Sequence, residues 1–150
     1  MQHNLKYREP DVVTLMSKNG VSVDIDSSID ASCGASCWLK SSFPFFSYGQ
    51  IDWSQVPNSK SFNWHTDYSA SCIVSYLLGS EAVEGSISVL WSDTLLGSFR
   101  GNIQDVMPFM WDILVEAADT WIIVEQSQFC VEVYHEGKIG AGYAQVESTV

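Results

Sequence analysis

Apolar and polar residues alternate in two short runs near the N-terminus, 12–16 and 21–25, on either side of Ser17-Lys18-Asn19-Gly20. Asn-Gly between such runs predicts a β-hairpin, because both residues tolerate the positive φ of a two-residue turn. Residues 1–10 ahead of it read as a polar arm. Residues 27–67 keep no period: Ser, Gly, Asn and two prolines are mixed with Trp38, Phe43, Phe45, Phe46, Tyr48, Trp53, Phe62 and Trp64. So many rings are not left in water, yet Ser-Phe-Pro and Val-Pro-Asn interrupt any long element. This predicts ordered, irregular structure with one short helix or strand near 29–40.

From Tyr68 the pattern clears. The apolar, β-branched run 72–78 and the alternation of Ile87, Val89 and Trp91 with Ser86, Ser88 and Leu90 predict two strands, with a third over 95–99. Asp105 offers an N-cap oxygen, and Pro108 in the first turn lacks an N–H that would be unpaired anyway, so one principal helix is expected over about 106–118. Its Asp112, Glu116 and Asp119 recur at helical spacing on one face, with Val106, Phe109, Met110, Ile113, Leu114 and Ala117 on the other. Strands at 121–125, 129–135 and 138–144 follow, the last two joined by Glu136-Gly137. A two-residue turn there sets Val133 opposite Gly140 and Val131 opposite Gly142, whose missing side chains let another element approach the sheet. Glu132 and Tyr134 share the other face. The order predicts a single α+β domain over 1–150, with a mostly antiparallel sheet, one principal helix and an N-terminal hairpin.

A hydrophobic content of 46% over 150 residues is enough for a core that needs neither disulfides nor metal. Charge changes the picture more. The formal net charge is −11, and between Gly101 and Gly137 stand Asp105, Asp112, Glu116, Asp119, Glu125, Glu132 and Glu136 with no Lys or Arg. These acids are threaded through apolar runs, so they belong to folded structure with a negative face that repels nucleic acid and acidic membranes and steers a basic macromolecule inward. The N-terminus lacks the apolar core of a secretory signal, and no stretch approaches the ~20 apolar residues of a membrane span. A cytoplasmic location with reduced thiols is expected, Cys72 and Cys130 serving as small core residues.

Catalytic patterns are weak. Cys33-Gly34-Ala35-Ser36-Cys37-Trp38 resembles the Cys-Gly-Ser-Cys-Trp signature of papain-like proteases, but one residue too many separates the cysteines and no general base lies at that family's distance of about 130–150 residues. Cys33, Cys37 and His65 lack the second close ligand pair of a structural zinc site. His65 and Asp67 place an imidazole near a carboxylate without a nucleophile at a recognisable turn. Gly137, Gly140 and Gly142 lead into a strand, not the helix a phosphate loop needs. No cofactor is implied.

Interface chemistry is better represented. Trp53 and Trp64 sit beside acids and turn residues, the mixture in which aromatic anchors are ringed by charge. With Asp67, Asp112, Glu116, Asp119, Glu132, Tyr134 and Glu136 they form the candidate partner-binding set. A small, acidic, aromatic-rich domain of this kind resembles the immunity proteins that neutralise bacterial nuclease toxins, including those of contact-dependent inhibition. The resemblance implies one-to-one binding of a basic toxin domain, with carboxylates pairing to the Lys and Arg that hold substrate phosphates. Two other readings are a small hydrolase or transferase using His65 and Asp67, and a non-enzymatic adaptor.

Overall fold

Alternation along the strands sorts the chain into two apolar layers on either side of one sheet. The computed structural model describes residues 6–27, 34–81 and 84–145. In chain order the elements are α1 (Asp11–Lys18), β1 (Asp24–Asp26), α2 (Gly34–Ser42), β2 (Lys60–Asn63), α3 (Asp67–Glu81), β3 (Ser86–Trp91), β4 (Ser98–Asn102), α4 (Ile103–Val106), α5 (Met110–Leu114), β5 (Thr120–Val124), β6 (Phe129–Tyr134) and β7 (Lys138–Tyr143). The strands form a seven-stranded antiparallel sheet in the order β1-β4-β3-β5-β6-β7-β2.

One face carries Ile87, Val89, Phe99, Ile122, Val131 and Val133 into the main core, where α1, α3, α4 and α5 bury Met16, Val74, Leu77, Leu78, Val106 and Ile113. The other face presents Leu90, Ile123 and Cys130, covered by Leu39 of α2 and by Phe43, Ile51, Trp53 and Val56 of the following irregular stretch. The aromatic segment is therefore an ordered cover, as its composition predicts, and α2 supplies its short helix. The class is α+β with a mostly antiparallel sheet, also as expected.

The N-terminal hairpin is not formed. Residues 11–18 are helical, with Val12, Val13 and Met16 buried along one side. Asn19-Gly20 ends that helix: the Gly20 N–H bonds the Ser17 carbonyl at 3.1 Å and the Val21 N–H bonds the Met16 carbonyl at 2.9 Å. With Gly20 at φ 78°, this is a Schellman stop. The same dipeptide chemistry that suits a hairpin turn satisfies a helix terminus equally well. Ahead of it, residues 6–10 lie against the turn before β4, with the Arg8 N–H on the Leu95 carbonyl at 2.8 Å and its guanidinium 3.1 Å from Asp93.

The expected strand at 72–78 lies inside α3. Ala70, Ile73, Val74, Leu77 and Leu78 fall at helical spacing toward the core, so period overrides the β-propensity of Ile73 and Val74. A reciprocal cap starts the helix: the Ser69 N–H donates to Thr66 Oγ1 at 3.0 Å, while Ser69 Oγ accepts from the Thr66 N–H at 3.1 Å. Cys72 is exposed on this helix rather than buried, whereas Cys130 is fully buried as expected.

The single helix expected over 106–118 is broken into α4, a 3-10 turn over Met107–Phe109, and α5, which stops at Leu114. Pro108 cannot donate to the Gln104 carbonyl and its ring crowds it, so the backbone tightens there. Asn102, not Asp105, is the cap; its Oδ1 accepts from the Gln104 and Asp105 N–H groups. The strand expected at 95–99 starts later, at Ser98, after a 3-10 turn over Thr94–Leu96 capped by Asp93.

In the last hairpin three residues, not two, form the loop, so Tyr134 faces Lys138, Glu132 faces Gly140 and Cys130 faces Gly142. The one-residue slip moves both glycines to the face of the aromatic cover. The expected close approach does occur: a Cβ on Gly140 would overlap the Trp53 indole, and one on Gly142 would press on Val56 and Trp53. Gly140→Ala should therefore lower unfolding free energy by about 1–3 kcal/mol. Urea denaturation followed by tryptophan fluorescence checks this, and an unchanged midpoint would refute the close packing.

Candidate functional site

Glu132, a candidate contact for a partner, is only 1% exposed. It lies under the aromatic cover on the β6 strand, where Gly140 leaves room for Trp53 above it. Its Oε2 accepts the Ile51 N–H at 2.8 Å and the Trp121 indole N–H at 2.8 Å; its Oε1 accepts the Trp53 indole N–H at 3.1 Å. Indole N–H groups can only donate, so the buried Trp53 and half-buried Trp121 aimed at one sheet position require an acceptor there. Burial raises the Glu132 pKa above the usual glutamate range; the three N–H donors oppose that shift, and nearby Asp119 adds to it. Trp53 and Tyr134 are likewise buried, so these three members of the set lie within the fold instead of on an open surface.

The remaining candidates fall into two exposed neighbourhoods. At one end of the sheet, Asp119 Oδ1 accepts the His135 N–H at 2.8 Å and faces His135 Nδ1 at 2.8 Å. Glu136 is exposed in the adjoining loop, and Trp64 lies beside it through its N–H on the Gly137 carbonyl at 2.9 Å. Next to Asp119, a hollow of about 490 Å³ is lined by Lys40, Phe46, Tyr48, Trp91 and Trp121. Phe46 and Tyr48 stack with centroids 5.1 Å apart at its rim. Asp67 and His65 are exposed at the start of α3, and no hydrogen bond joins them among the described residues.

The second neighbourhood is a groove of about 490 Å³ between α1 and α5, lined by Asp11, Leu15, Lys18, Asp112, Val115 and Glu116. Glu116 has a structural duty here: its Oε1 accepts the Val12 N–H at 2.7 Å. Pro10, at the N-cap of α1, has no side-chain oxygen to offer, so Glu116 caps that helix from across the groove. Asp112 lines the groove without such a bond among the described residues. Trp111, 49% exposed, Val115 and Leu15 add apolar surface around the carboxylates. Asp11 and Leu15 are not legible as groove residues when 12–16 is taken as a strand, whereas for Trp111 and Val115 the available signal is a large ring beside Asp112 on the polar side of α5.

Of the two thiols in the protease-like run, Cys37 is exposed on α2, and Cys33 lies outside the described residues. Among the described residues no helix is long and apolar enough to cross a membrane.

Glu132→Gln places an amide NH₂ against indole or backbone donors and should cost about 1–3 kcal/mol. The folded protein holds the Glu132 proton more tightly than the unfolded chain. Its contribution is thus greatest below the ordinary glutamate pKa and is lost as pH rises through the folded value. Urea titrations of both proteins across mildly acidic to neutral pH should show the wild-type advantage over Glu132→Gln shrinking as pH rises. A difference that grows with pH would contradict the assignment.

Comparison with curated proteins finds no match. The family described as CdiI immunity protein EcoliA0-like matches residues 32–142, from just ahead of α2 into β7. The match takes in the aromatic cover with its Glu132 anchor, six of the seven strands, α3 and the α5 side of the acidic groove. With nearly three quarters of its length matched, the chain belongs to the CdiI immunity protein EcoliA0-like family, the immunity proteins of contact-dependent inhibition.

Proposed function

We propose that this immunity protein works in the cytoplasm, without enzymatic activity, by binding one basic toxin domain of nuclease type through the groove between α1 and α5. The observation that carries this reading is the groove itself, lined by three acids, Asp11, Asp112 and Glu116, against one cation, Lys18, with Leu15 and Val115 as apolar walls. Carboxylates on apolar walls suit a Lys or Arg side chain, whose aliphatic stem packs while its charged head is paired. Trp111, exposed next to Asp112 on α5, supplies an aromatic anchor of the type that dominates binding energy at interfaces. A nuclease holds substrate phosphates with such cations, so occupying them blocks its active site or the surface next to it. The net charge of −11 speeds encounter, and desolvated apolar contacts slow release. Asp119, Glu136, Trp64 and Asp67 at the sheet end extend the negative surface without being its centre.

A hydrolase or transferase built on His65 and Asp67 is not favoured, since both side chains are exposed and unconnected. The decisive binding experiment uses the toxin domain that this protein neutralises. Charge reversal at Asp11 and Asp112 together should weaken binding by about 10–100-fold and flatten its salt dependence, because both act in the open groove. Glu116 is left intact, as its loss would uncap α1. Titration calorimetry at two ionic strengths reads the result; equal affinity and equal salt slope would exclude this groove as the contact.

A further inference from the structure

The acids of the α1–α5 groove are not equivalent. Asp11 is exposed in the first turn of α1, and Asp112 lines the facing wall with no hydrogen bond among the described residues. Glu116, just past the end of α5, is half-buried, and its Oε1 accepts the Val12 N–H at 2.7 Å. The Val13 and Thr14 N–H groups return to the Pro10 carbonyl at 3.0 and 3.3 Å, so the Val12 N–H is met from outside the helix. Asp11 and Val12 share one planar peptide unit, and the bond to Glu116 therefore fixes the Asp11 backbone against the α5 side of the groove. At eight residues, α1 is shorter than a helix that holds itself in water. Its placement depends on the burial of Val12, Val13 and Met16, on the Gly20 stop at one end and on Glu116 at the other. The Glu116 charge already faces an N–H and the positive end of α1, so an entering cation gains more from Asp11 and Asp112.

We infer that Glu116 is a positioning residue for recognition: by holding the first turn of α1 it sets Asp11 across the groove from Asp112, and that pair meets the cation of the toxin domain. This deepens the proposed function and rests on the groove being the toxin contact. Affinity then scales with the fraction of molecules in which α1 is docked, and an occupied groove in turn holds α1 down. A residue touching the toxin and a residue placing another that does so are separable, because an amide oxygen at position 116 keeps the helix contact while removing the charge.

Hydrogen exchange of the full chain without toxin reads the helix contact. Glu116→Ala should speed exchange of the α1 amides about tenfold, and Glu116→Gln should restore most of the protection. Titration calorimetry against the toxin domain at two ionic strengths reads the consequence. Glu116→Ala should weaken binding about 3–10-fold with the salt slope retained, and Glu116→Gln should recover most of that loss. Asp112→Asn should weaken binding and flatten the slope while leaving α1 exchange as it is. Unchanged α1 exchange in Glu116→Ala would overturn the inference and leave the groove reading standing. Glu116→Gln losing as much affinity as Glu116→Ala, with a flattened slope, would make Glu116 a direct contact and overturn it as well. Wild-type binding in every variant, Asp112→Asn included, would instead remove the groove reading beneath it.

Discussion

A carboxylate with no cation beside it organises one whole layer of this protein. Glu132 projects from the middle of the sheet into the space left by Gly140, and three N–H groups from separate parts of the chain converge on it: Ile51, Trp53 and Trp121. Each donor would lose its partner if the acid were removed, and the acid would be stranded if the donors moved away. That mutual dependence ties a largely irregular aromatic stretch, with only a 3-10 turn over Trp53–Gln55 and a bridge between Phe45 and Ile51, to a regular sheet. The rings around it, Phe43 on Trp53 and Trp38 on Phe43, then close the layer by edge and tilted contacts.

The acidic character of the C-terminal half has two distinct meanings in the folded protein. Glu132, Glu116, Asp119 and Glu125 are occupied by internal donors: indoles and a backbone amide, the α1 terminus, His135, and Arg100 with Ser88. Asp112 and Glu136 are not held by such bonds among the described residues. A tally of negative residues therefore overstates what is available to a partner. Of the acids left free, Asp112 lies with Asp11 and Lys18 where α1 meets α5, and Glu136 lies at the end of the sheet.

The strand β3 was legible from its alternation, β5 from a short continuous apolar run, and β6 and β7 from the Glu136-Gly137 turn between them. So was the antiparallel class. What misled was chemistry shared by two structures: Asn19-Gly20 serves a helix stop as readily as a hairpin, and Ile73-Val74 fits a helix once Ala70, Leu77 and Leu78 are counted with it. Register was missed by one residue, and that slip hid the role of Glu132, since which face a strand residue occupies depends on the loop length. The candidate surface was half legible. Asp112 and Glu116 share a groove as their spacing suggests, but the opposite wall comes from α1, distant in sequence, and no local pattern joins the two.

The bond from Glu116 to the Val12 amide gives the groove one wall position that cannot be traded for another charge. A variant of this chain that acquires a different partner could vary the residues at 11, 15, 112 and 115, yet would have to retain a hydrogen-bond acceptor at 116 to keep its first helix in place. On the proposed reading of the groove, recognition would then diversify around one fixed acceptor already engaged by the helix it holds.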